Sequence, residues 1–191
     1  MGQNDDIRSA NDIRTAMERN VKAVTARPGV GQGTARTTAR LNPGLECEVT
    51  DGPFSLTVGM TAKYGGTNAG PNPGVLGRGA LASCMAMGYA MWAARLGVPL
   101  QALEVEVQAD YDVRGELGVE AEGEDLRPGY RELRYVVTVE SSAPEEDIIG
   151  LLDRGDECSP YLDIFANRTP VRREVRIREP EGISEPSLGG S

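Results

Sequence analysis

The sequence predicts an α+β fold with mainly antiparallel sheet. Three observations predict it. Segments of period-two alternation lie on both sides of a long apolar stretch, the stretch over residues 74–96 has no polar stripe, and further helical signals separate the later strands from a last one.

The 191 residues are enough for one core, and they divide into an N-terminal amphipathic helix over 1–30, a domain over 31–178 and a disordered tail over 179–191. In the first segment Ile7, Ala10, Ile13, Met17, Val21 and Val24 recur at helical spacing until Arg27-Pro28-Gly29 ends the pattern. It reads as a docking helix. Residues 34–41 alternate, with Arg36, Thr38 and Arg40 on one face, and predict a first strand. Leu45, Cys47 and Val49 share a face of a second, and Asp51-Gly52-Pro53 turns the chain into a third over 54–60.

Gly65-Gly66 and Gly70-Pro71-Asn72-Pro73 then mark the switch to helix. Leu76, Leu81, Met85, Met87, Tyr89, Met91 and Trp92 lie all round the circumference of that helix, so it predicts a buried one. Leu103, Val105, Val107, Ala109 and Tyr111 alternate with polar residues in the next strand, and Leu133, Tyr135, Val137 and Val139 mark its hairpin partner. Ser142-Ala143-Pro144-Glu145 fits a capping box that opens a helix over 146–156, with Ile148, Ile149, Leu151 and Leu152 inward. Ser159-Pro160 opens another, with Tyr161, Leu162 and Phe165 toward the core, and Val171, Val175 and Ile177 predict a last strand. One sheet of about six strands covers only one side of the central helix, so a homodimer pairing two such helices is expected.

Composition excludes several functions. The net charge of −9 disfavours nucleic acid and anionic membranes, and the Arg run at 168–178 is interrupted by Glu174. No uncharged stretch reaches the roughly 20 apolar residues of a membrane span. The N-terminal residues lack the apolar core of a secretory signal, and three widely spaced cysteines do not form a disulfide framework; both point to the cytoplasm. Histidine is absent, which excludes Ser-His-Asp and Cys-His catalysis and the His-based metal sites. No cofactor and no metal are expected. Of the thiols, Cys47 reads as a small hydrophobe on a strand, Cys84 lies on the central helix between Ala80 and Gly88, and Cys158 precedes a helix start whose dipole favours a thiolate.

Gly65-Gly66, Asn72-Pro73 and the helix whose Cys84 lies eleven residues after Pro73 resemble the osmotically inducible protein C and organic hydroperoxide resistance (OsmC/Ohr) superfamily. The likeness continues through residues 93–98, the strand at Leu103, residues 110–115 and the region from Cys158 to Val171. It implies an OsmC-like fold, with antiparallel sheets wrapped around two central helices in an intertwined homodimer and active sites at the interface. It also implies a thiol peroxidase acting in stress defence. Cys84 would attack a small organic hydroperoxide, Cys158 would resolve the sulfenic acid as a disulfide, and an external dithiol reductant would restore both. In the family an Arg from the N-terminal hairpin, held by a Glu after Asn-Pro, supports the thiolate. Here Arg40, or Arg36, is the candidate cation, and both also read as exposed strand residues. Gly74 stands where that Glu should, and Ser159 stands where the resolving Cys should, with Cys158 one residue earlier. These departures support a second reading, a non-catalytic ligand-binding or stress-associated protein of the same fold. A DNA-binding regulator is disfavoured by the acidic charge.

Overall fold

The computed structural model describes residues 9–178. Its element order is α1 (Ala10–Ala26), β1 (Thr38–Asn42), β2 (Glu46–Asp51), β3 (Phe54–Gly59), α2 (Pro73–Leu96), β4 (Ala102–Asp110), α3 (Val113–Glu116), β5 (Glu132–Glu140), α4 (Glu145–Glu157) and α5 (Pro160–Ala166). The α+β class and the antiparallel pairing are as the sequence predicts. The strands, however, form two sheets rather than one: β1-β2-β3, and the hairpin β4-β5.

Helix α1 starts where Ser9 and Asp12 cap each other's backbone, and it packs on α2 without burying any of its residues. Ile7 and the tail over 179–191 lie outside the described residues. Strand β1 begins four residues later than expected, because its partner β2 ends at the Gly52-Pro53 turn and the ladder stops at Thr38 opposite Thr50. In the register Leu41–Cys47–Val58 and Ala39–Val49–Leu56 form one apolar face, and Arg40, Glu48 and Thr57 lie on the other. Only the Val58 end of the apolar face is buried; Phe54 is 74% exposed at the other.

Asn72 caps α2 by accepting from the Val75 N–H, Pro73 fixes its first turn, and Gly97 closes it in the left-handed conformation that glycine adopts without a Cβ clash. Leu81, Met85 and Tyr89, each 1% exposed, carry the core. Leu103, Val105 and Val107 of β4, Val137 of β5, Leu152 of α4 and Leu162 of α5 pack against them. The opposite side of α2 is open within one chain, and Met87 there is 60% exposed. The all-round apolar helix is therefore buried on one side only.

Three local expectations are corrected. The capping box at Ser142 does not form: Ser141 accepts from the Ala143 N–H and donates to the Pro99 carbonyl, and α4 starts at Glu145 without a side-chain cap. Its first turn carries Glu145, Glu146 and Asp147, which complement the helix dipole instead. Ile149 in α4, and Tyr161 and Phe165 in α5, are exposed rather than inward. The strand expected at Val171, Val175 and Ile177 is absent, because no strand edge pairs with it among the described residues; Val171 is 91% exposed.

Candidate thiol site

Cys84 lies one step round α2 from the inward line of Leu81 and Met85 and is half-buried. Its Sγ is 3.8 Å from the Oγ of Ser159. The corner between α4 and α5 brings Ser159 there. Helix α4 closes as the Cys158 N–H reaches back to the Gly155 and Asp156 carbonyls, and Ser159 then caps α5 by accepting from the Leu162 N–H at 3.3 Å. Leu162 belongs to the shell around the α2 core, so burying it draws the corner onto Cys84. Ser159 is 5% exposed, as a cap sealed between two helices should be.

Cys158, one residue earlier, is exposed. It is the C-cap of α4 and directly precedes Ser159, the N-cap of α5. The negative end of a 13-residue helix therefore acts on it together with the positive end of a 7-residue one, and the dipole advantage read from the sequence is offset. A cation stands near it instead. Arg154, one turn back on α4, is held above its ordinary range first by its hydrogen bond to Glu157 and then by charge on the Cys158 sulfur. Arg154 and Arg95 each lie 4.8 Å from the centre of the Trp92 ring, which orients both guanidinium groups.

A second set of polar groups holds the corner in place. The Tyr89 hydroxyl donates to Asp156 Oδ1 and the Tyr135 hydroxyl donates to Oδ2 at 2.7 Å, so one carboxylate ties α4 to α2 and β5. Burial first, and the Asp156 hydrogen bond second, raise both phenols; Tyr135 reaches about 12 and Tyr89 is held well above its ordinary range. Gly155 makes the approach possible, because a Cβ there would overlap the Tyr89 ring. Neither Asp156 nor Arg154 was found in the sequence. Arg154 alone had a readable signal, its i, i+4 spacing from Cys158 on an expected helix.

The remaining candidates lie elsewhere. Arg40 is exposed on β1 opposite Glu48, and no hydrogen bond or ion pair joins it to Cys84 among the described residues. Arg36 is exposed before the strand, and Cys47 is half-buried between Leu41 and Val58. At Gly74 the space is occupied by Arg78, whose Nη1 donates to the Tyr130 hydroxyl at 3.0 Å while that hydroxyl donates to the Gly74 carbonyl at 3.2 Å. No cluster of metal-ligating side chains occurs among the described residues, and no described helix is long and apolar enough to cross a membrane.

Solved structures resemble this fold at low identity. An OsmC-like protein of Mycoplasma pneumoniae matches with a TM-score of 0.60 and 18% identity over 71% of this chain and 89% of its own. An organic hydroperoxide resistance protein of Elizabethkingia anophelis matches with a TM-score of 0.50 and 16% identity over 69% of this chain and 87% of its own. At these identities the likeness concerns the fold. A search of curated proteins found no match. The model of the OsmC-like protein family matches residues 66–174, more than half of the sequence, and the chain belongs to that family.

Proposed function

We propose that the protein is a thiol-dependent peroxidase that reduces organic hydroperoxides in stress defence. The observation that carries this reading is the seating of the Cys158-Ser159 corner on Cys84, with Ser159 Oγ 3.8 Å from the Cys84 sulfur. The Cys84 thiolate attacks the distal oxygen of the hydroperoxide; an S–O bond forms, the O–O bond breaks, and the alcohol leaves with a proton. The Cys158 thiolate then attacks the sulfenic sulfur, forming the disulfide and releasing water, and an external dithiol reduces it. Because Cys158 is exposed and Ser159 is not, resolution requires the corner to open by about one residue.

The working unit in this proposal is a homodimer. The open side of α2, the uncovered apolar face of β1-β2-β3 and the unpaired segment after Ala166 are three apolar surfaces that a second copy would cover. Arg40, on the polar face of β1, is proposed as the cation supporting the thiolate. The test is consumption of cumene hydroperoxide with dithiothreitol as reductant: the wild type turns over, and Cys84→Ser does not.

A second reading, a non-catalytic ligand-binding protein, is favoured by one observation. Gly74 and Arg78 occupy the place where the family keeps a carboxylate. On that reading the Cys84 thiol reacts with the hydroperoxide no faster than free cysteine does.

A further inference from the structure

A cavity of about 420 Å³ opens beside the first turn of α2, away from Cys84. Its walls are mostly the apolar and aromatic surfaces of Met60, Tyr64, Tyr111, Val113 and Tyr130, and Arg78 reaches it from the helix. Its volume is that of a small-molecule site, and a few polar groups set in largely apolar walls are how such sites fix a ligand's orientation.

Arg78 is half-buried and its one side-chain partner is the neutral Tyr130 hydroxyl; among the described residues it makes no ion pair. Every other side-chain hydrogen bond made by a described arginine goes to a carboxylate or to the Asn11 amide oxygen, so this cation is distinct in being drawn inward without a counter-charge. Two acidic residues also line the cavity. Asp112 is already neutralised by Arg114 and Arg131, each at 2.7 Å, and Glu116 is exposed. The absence of a side chain at Gly74 leaves the guanidinium room: a Cβ there would lie 3.3 Å from Arg78 Nη1 and 3.4 Å from the Tyr130 hydroxyl.

We propose that this cavity binds an organic monocarboxylate with an apolar body, the carboxylate pairing with Arg78 and the body lying among Tyr64, Tyr111, Tyr130 and Met60. A guanidinium matches a carboxylate through paired N–H donors, and partial burial strengthens the pair relative to one in water. The site does not depend on the reaction of Cys84, so it stands or falls apart from the peroxidase reading.

The test is calorimetric titration of the full chain with benzoate and with the neutral, equally sized benzamide. Benzoate is expected to bind at one site per chain, at least tenfold more tightly than benzamide. Arg78→Met should weaken benzoate at least tenfold and leave benzamide unchanged. Gly74→Glu gives an independent arm, since a helix first turn accommodates Glu and its carboxylate would occupy Arg78 as a built-in competitor. It should abolish benzoate binding without loss of thermal stability. Equal affinity for benzoate and benzamide, undiminished binding by Arg78→Met, or no saturable benzoate binding because a second copy fills the cavity would each overturn the proposal.

Discussion

Ser159 Oγ, and not a sulfur, faces Cys84 Sγ across 3.8 Å, while Cys158 stands exposed at the preceding position. The double variant Cys158→Ser/Ser159→Cys should therefore form the Cys84 disulfide faster than the wild type after one equivalent of cumene hydroperoxide. At least a tenfold gain in rate is expected by thiol counting in quenched samples. Cysteine caps a helix less well than serine, so α5 should lose about 1 kcal/mol in the same variant.

Gly155 lies against the Tyr89 ring with no space for a Cβ, whereas nothing is near Gly150 on the same helix. Gly155→Ala should destabilise by about 1–3 kcal/mol through overpacking. Gly150→Ala should be neutral or stabilise by up to about 1 kcal/mol, the propensity gain of alanine over glycine. Urea unfolding midpoints of the two variants check the contrast.

Asp112 is held at about 2, first by the Arg114 side chain and then by the Arg114 backbone N–H, against an ordinary value of 3.8. A lowered folded-state value means that its contribution is complete above the ordinary value and is lost as pH falls toward 2. Stability measured by urea unfolding should therefore decline between pH 4 and 2 more in the wild type than in Asp112→Asn. At the alkaline end the sign reverses: Tyr135 is raised to about 12, so its contribution is complete below pH 10 and is lost as pH rises through 12. Tyr135→Phe should flatten that arm.

Much of this molecule was legible in the sequence. Alternation located β2 to β5 to within a residue or two, and Ser159-Pro160 announced α5, because period and cap chemistry are local properties. The expected last strand failed for a physical reason. Alternation at Val171, Val175 and Ile177 records that one side of the chain is apolar, not that a strand edge lies within reach. Cys84 on α2 and the helix start at Ser159 were legible one by one, but their 3.8 Å approach was not. Arg78–Tyr130 and Tyr89–Asp156 were not, since these pairs join residues 52 and 67 positions apart and neither periodicity nor spacing reports such contacts.

The open side of α2 gives a prediction about assembly. Met87 is 60% exposed on a helix whose other side is core. Sedimentation should show a dimer of the 20.4 kDa chain, and Met87→Glu should shift it toward monomer by burying an unpaired charge at the pairing surface.

On the proposed reaction Cys84 attacks and Cys158 resolves, and mass spectrometry of the chain after one equivalent of cumene hydroperoxide distinguishes the two outcomes. The predicted product is a Cys84–Cys158 disulfide in the wild type and a trapped Cys84 sulfenic acid in Cys158→Ser. Recovery of Cys84 as the free thiol, with the hydroperoxide unconsumed, would contradict it.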